Sequence, residues 1–166
     1  MTDGESEFLR AGITHFPDAF NAVEQFRTLI RSRVAAAFLS SPTEAWKPLT
    51  GRDIKASRSV VGGLWCGAQS KVVLSLPATA PAVVEVGIWW NPPPIKAHAV
   101  VICGYFWDGP PAVCRAVPPT LQSGVGNVLS GSTAHFFLPP SADLDADLRE
   151  MVKALAAAAL SVPASG

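Results

Sequence analysis

The chain has few charged residues and no apolar run long enough to cross a bilayer. Charged residues make up 16% of the sequence and hydrophobic residues 49%, a balance that excludes an intrinsically disordered chain. A membrane-spanning helix needs about 18 consecutive apolar residues, and the stretch 97–107 has only about half that number. Residues 1–7 are polar and acidic, unlike a secretory signal. We therefore expect a soluble protein with no membrane partner.

Cysteine is also scarce, with only Cys66, Cys103 and Cys114 present. An odd number without C-x-x-C spacing argues against both a disulfide framework and a standard zinc site. The glycines at 124–131 lack the Lys-Ser or Lys-Thr pair of a phosphate loop. The sequence thus predicts reduced thiols, a cytoplasmic location, no metal and no cofactor.

Positive and negative charges balance over the whole chain, but the basic residues are concentrated in one stretch. The thirteen basic and thirteen acidic residues cancel, so the net charge predicts no polyanionic partner. Eight basic residues nevertheless lie between Arg27 and Lys71, against two acids, Glu44 and Asp53. Binding of nucleic acid is one alternative function, since cations contact phosphates. A solvated basic surface is the favoured interpretation, because the charges are spread over a helix, a loop and strands. The residues concerned are Arg27, Arg31, Arg52, Lys55 and Arg58.

The length of 166 residues fits one domain, predicted over 9–160 with flexible tails at 1–8 and 161–166. Apolar residues recur every three or four positions over 18–39 and over 142–160, and this spacing predicts two amphipathic helices. Ser141 is the expected N-cap of the second helix.

Between these helices the period changes to that of β-strands. Short segments rich in valine, isoleucine and tryptophan are separated by glycine or proline, and linkers of about six residues permit only antiparallel neighbours. The stretch 97–107 is apolar on both alternating sets, which indicates a central strand. The prediction is an α+β fold, an antiparallel β-meander sheet of about five strands packed by N-terminal and C-terminal helices. The strands are expected near 46–55, 60–66, 71–76, 83–90 and 97–107, with 108–134 draped over one edge, a short helix near 120–129 and a last strand at 135–138.

Aromatic residues suggest where a partner binds. Adjacent Trp89 and Trp90 must point to opposite faces of a regular strand, and three prolines stiffen the following loop at 91–95. We therefore favour a non-enzymatic binding or protein-interaction domain that binds a protein partner or a small-molecule ligand, with a homodimer among the options. The candidate binding residues are Trp65, Glu85, Trp89, Trp90, Asn91 and Trp107.

Glu85 is unusual because it lies among valines in a predicted strand. A carboxylate buried without a partner costs several kcal/mol. We expect a structural pair with Arg52 or Arg58; the alternatives are ligand binding or acid-base chemistry, and simple exposure of the side chain.

A thiol-dependent hydrolase or transferase is the rival function. It needs a cysteine nucleophile with a histidine in reach, and Cys66 with His98 or His135 supplies the residue types. No thiol-protease signature surrounds Cys66, and burial as a small apolar residue is the favoured interpretation of the cysteines.

Overall fold

In the computed structural model of the protein, helices from the two ends of the chain pack on one antiparallel sheet. The structure describes residues 2–57, 64–75, 81–91, 100–114, 128–130, 133–138 and 140–162. The predicted α+β class is thereby confirmed. The helices are α1 (Asp3–Ser40), the four-residue α2 (Pro111–Cys114) and α3 (Leu144–Leu160), and a 3-10 turn spans Gly51–Asp53.

The sheet has the order β1-β2-β3-β4-β6-β5, and all of its neighbouring strands are antiparallel. Four strands, β2, β3, β4 and β6, form its body, and a three-residue strand lies at each edge, whereas about five strands were predicted. The bounds are β1 Ile54–Ala56, β2 Leu64–Val73, β3 Pro81–Trp90, β4 Val100–Asp108, β5 Val128–Ser130 and β6 Thr133–Leu138.

The strand β2 joins two segments that were predicted to be separate strands. The gap predicted between 66 and 71 is absent, because Gly67 continues the strand directly opposite Gly87 of β3. A Cβ atom at Gly67 would lie 2.7 Å from the Trp65 ring. The glycine therefore leaves room for that ring and does not mark a turn. The strand predicted at 46–55 was wrong for most of its length. Only its end, which belongs to β1, and a single β-bridge between Trp46 and Leu74 join the sheet.

The central position predicted for the strand at 97–107 is confirmed. β4 lies between β3 and β6, and buried side chains occupy both of its alternating sets. They are Val101, Cys103 and Tyr105 on one face and Ile102 and Phe106 on the other.

The helix α1 is far longer than the predicted 18–39. It begins at Asp3, where Thr2 and Glu5 form a reciprocal capping box, so residues 3–8 are helical where a tail was predicted. Pro17 cannot donate to the Ile13 carbonyl, which removes one helical hydrogen bond without ending the helix. The extent of the single domain stays a prediction.

The helix α3 begins close to its predicted start but with a different cap. The Asp143 carboxylate accepts from the Ala146 amide at 3.0 Å. Ser141, the predicted cap, instead donates its amide and hydroxyl to Asp147 at 2.7 and 2.8 Å. The helix predicted near 120–129 lies mostly outside the described residues, and 128–130 forms β5.

Both long helices lie on one face of the sheet, which we call the helix face. Its core combines the C-terminal half of α1 with α3 and the even-numbered positions of β2, β3 and β4. No helix in the described part of the chain is both long and apolar enough to cross a membrane. The helical contributors include Ile30, Val34, Phe38, Leu148, Met151 and Leu155.

Gly104 sets how closely α3 approaches β4. A Cβ atom there would lie 2.6 Å from Met151 Sδ and 3.1 Å from Leu155 Cδ1. We expect Gly104→Val to lower the free energy of unfolding by about 1–3 kcal/mol, because overpacking must push the helix outward. Urea unfolding measures the loss, and Gly51→Val, where an added Cβ atom meets nothing within 4 Å, is the control for added bulk. Equal losses in the two variants would contradict close packing at Gly104.

Candidate functional site

The face of the sheet opposite the helices, the second face, carries three of the six predicted binding residues, Trp65, Glu85 and Trp89. Trp65 and Trp89 lie side by side on β2 and β3, with ring centroids 6.1 Å apart and planes at 83°. Tyr105 of β4 completes the group at 6.0 Å from Trp65. All three side chains are buried, with Trp65 only 7% exposed. These aromatic residues therefore form a packed cluster, and Trp65 and Trp89 are not a recognition surface of the kind predicted.

Glu85 lies within this cluster and is 2% exposed. Its carboxyl group accepts hydrogen bonds from the Tyr105 and Ser57 hydroxyls, and Ser57 also accepts from Trp65 Nε1 at 2.9 Å. Burial raises the pKa of Glu85, although the two hydroxyl bonds oppose the shift. The partners that the structure provides are thus hydroxyl groups, not the predicted Arg52, and Arg58 lies outside the described residues.

Strand register aligns polar residues in one row across the second face. Lys55 of β1 pairs with Gln69, Gln69 with Glu85, and Glu85 with Tyr105. Tyr105 in turn pairs with the backbone of His135 in β6. Directly paired residues share a face, so the row combines residues from five strands. Sequence analysis singled out Lys55, Glu85 and His135 separately, for three different functions.

The other predicted binding residues lie away from this row. Trp90 points to the helix face, where its ring meets Phe26 of α1 edge-on at 5.4 Å, so the two tryptophans do occupy opposite faces as predicted. Asn91 is exposed at the end of β3 with φ 48°, a left-handed conformation that asparagine tolerates. Trp107 is the extra residue of a β-bulge in β4. The loop at 92–99, with His98, lies outside the described residues.

Cys66 occupies the helix face and is 2% exposed. Burial raises the pKa of its thiol, while a hydrogen bond with Arg27 and the charges of Arg27 and Arg31 oppose the shift. His135 lies three strands away, about 14 Å across the sheet, at a register position of the second face. The structure does not bring Cys66 and His135 together. Among the described residues, no group of three histidine, cysteine or acidic side chains is placed to hold a metal.

Native Cys66 is expected to react slowly with iodoacetamide, because a buried thiol with a raised pKa is seldom ionised. We expect peptide mass spectrometry to show modification of Cys66 in urea at a rate at least about tenfold above the native rate. Rapid modification at neutral pH in the native state would indicate an accessible thiolate and contradict this environment.

The predicted nucleic-acid residues that the structure describes, all except Arg58, are divided between the two faces. Arg27 and Arg31 approach Cys66 on the helix face, whereas Arg52 and Lys55 line a groove of about 300 Å³ on the second face. The remaining residues of this groove, which we call the basic groove, are Asp53, Gln69, Lys71 and Val83.

The N-terminal half of α1 carries a feature that sequence analysis missed. Its apolar residues continue the spacing of the buried half of the helix, yet they are exposed by between 51% and 78%. A shallow notch of about 450 Å³ surrounds Gly12 within this row. The capping box at Thr2 and the unbroken spacing through Pro17 were the available signals. We call this row the exposed stripe: Phe8, Leu9, Ile13, Phe16 and Phe20.

Comparison with known proteins finds no relative that would assign a function to this site. Neither a family model, nor a curated protein, nor a solved structure matches the chain.

Proposed function

We propose that this protein is a non-enzymatic interaction domain that self-associates through the exposed stripe of α1. One observation carries the proposal: a single helix face is packed on the sheet at Ile30 and Val34 but uncovered at Phe8, Ile13 and Phe16, where exposure is 78%, 78% and 67%. Monomeric proteins seldom expose contiguous apolar patches above a few hundred Å². The proposed surface is thus α1, whereas the predicted loop at 91–95 lies outside the described residues except for Asn91.

The size of the stripe supports a second copy of the chain as the partner. From their exposed fractions, its five side chains leave on the order of 600 Å² uncovered. Two copies packed stripe to stripe bury about 1,200 Å², the lower limit for a stable specific interface. The notch at Gly12 gives room for an aromatic ring of the partner.

Charge supports an antiparallel arrangement of the two helices. The segment 3–20 carries four acids, Asp3, Glu5, Glu7 and Asp18, against Arg10. Parallel pairing sets the two acidic first turns and the two helix dipoles side by side, whereas antiparallel pairing separates the acids and opposes the dipoles. The same acidity disfavours an anionic membrane surface, which attracts basic helices.

The two alternative functions have less support. A thiol enzyme needs an accessible nucleophile and a nearby base, and Cys66 is buried away from His135. Nucleic-acid binding needs a continuous basic track, and the candidate cations that the structure describes occupy opposite faces, Arg27 and Arg31 on one and Arg52 and Lys55 on the other. A cytoplasmic location remains part of the proposal, in keeping with free Cys66 and Cys103.

Sedimentation equilibrium of the purified chain over a range from about 1 to 100 μM tests the proposal. We expect the mass to rise from the 17.4 kDa monomer to twice that value. A mass that stays monomeric throughout would overturn self-association.

A further inference from the structure

We propose that the basic groove on the second face binds a small phosphorylated molecule, a function separate from association through α1. The groove encloses about 300 Å³ between the 3-10 turn and strands β1, β2 and β3. Such a volume is at the lower end of those found for small-molecule sites. Arg52, Lys55 and Lys71 line it and are exposed at its rim.

The strand register forces two of these cations together. Lys55 is paired with Gln69, so Lys71, two residues further along β2, lies diagonal to Lys55 on the same face. Diagonal neighbours in a sheet lie about 7–8 Å apart, within reach of long side chains, and like charges in adjoining positions repel. An anion held between the two ammonium groups would convert this repulsion into attraction.

The described residues supply little negative charge to the groove. Its one acid, Asp53, directs its carboxylate to the Thr50 amide and hydroxyl at 2.8 and 3.0 Å. The ion pairs found among the described residues, Arg27 with Glu24 and Arg33 with Asp145, involve none of the three groove cations. Three cations therefore face one acid that is already engaged.

The residue types indicate phosphate and a small ligand. An arginine fork fits phosphate oxygens in a bidentate manner, and flanking ammonium groups add charge that can adapt in position. Gln69 offers an amide for a neighbouring polar group, and Val83 gives one apolar wall. A long polyanion would need further cations in line, but Arg27 and Arg31 lie on the opposite face.

Calorimetric titration with inorganic pyrophosphate at about 0.15 M salt tests the site. We expect binding by the full chain, and at least tenfold weaker binding by the double variant Lys55→Gln with Lys71→Gln. The matched control is Arg10→Gln with Lys153→Gln, which removes the same charge from two exposed cations outside the groove. Thermal melting of both variants reports whether each is folded, and Arg52→Gln alone provides a second, milder change.

Undiminished binding by the control together with weakened binding by the groove variants would support the proposal. Equal losses of affinity in the control and the groove variants would show that binding depends only on the total charge of the protein, and this result would overturn the proposed site. Absence of pyrophosphate binding would also overturn it. Citrate binding as tight as that of pyrophosphate would refute phosphate selectivity, and tighter binding of a single-stranded oligonucleotide through the same lysines would refute a small ligand.

Discussion

The Phe16→Glu variant is expected to sediment as a monomer at concentrations where the unmodified chain is a dimer. Phe16 is 67% exposed within the exposed stripe, between Ile13 and Phe20. Association would bury the new carboxylate against apolar side chains, which is costly without a partner. Loss of a central aromatic anchor costs about 2 kcal/mol or more, so we expect the dissociation constant to rise at least about 30-fold.

Leu39→Glu is the matched control for this experiment. Leu39 belongs to the same helix and is 50% exposed, but it lies beyond the stripe, near the C-terminal end of α1. The control should dimerise like the unmodified chain. If both variants dissociate equally, or if neither does, the stripe is not the interface.

A Glu85→Gln variant is expected to gain stability relative to the unmodified chain as the pH rises from about 5 to 8. Because burial raises the pKa of Glu85 in the folded state above its ordinary value of 4.5, the folded chain holds a proton that the unfolded chain releases. The contribution of this proton to the stability of the folded chain is fully present below pH 4.5, and it is lost as the pH rises through the raised pKa of the folded state. Glutamine keeps an oxygen that accepts from Tyr105 and carries no charge at any pH.

The measurement is urea unfolding of both chains at pH 5 and pH 8. The relative gain of the variant should be on the order of 1 kcal/mol, the scale of desolvating one polar group that retains its hydrogen bonds. Glu150→Gln, an exposed carboxylate on α3, is the control and should follow the unmodified chain at both pH values. A difference between Glu85→Gln and the unmodified chain that is independent of pH would show that Glu85 ionises freely.

The clearest successes of sequence reasoning came from strong local periodicity. The apolar spacing of α3 and the two apolar sets of 97–107 were sufficient because each pattern is set by neighbouring residues. The N-terminal half of α1 was missed because the polar, acidic start was interpreted as a flexible tail and the apolar spacing was followed only from about residue 18. Its exposed phenylalanines belong to the same face as Ile30 and Val34, and only the structure distinguishes the covered half from the uncovered one.

The candidate site was less predictable than the fold. A structural partner was expected for Glu85 in Arg52 or Arg58, but the partners that the structure provides are hydroxyls from Ser57 and Tyr105. These residues are 28 and 20 positions from it in the chain, and no local pattern marks them. Cys66 and His135 had suitable chemistry but the wrong geometry, because residue types carry no information on which face a strand presents.

By itself, the sequence determined the α+β class, the two terminal helices, the central strand and the opposite orientations of Trp89 and Trp90. These features follow from helix and strand periods, which act over a few residues. Only the tertiary structure decided the row from Lys55 through Glu85 to His135, the closeness of Lys55 and Lys71, and the uncovered stripe on α1. Strand order, register and helix coverage depend on contacts between distant parts of the chain, and those contacts form only when the whole core packs.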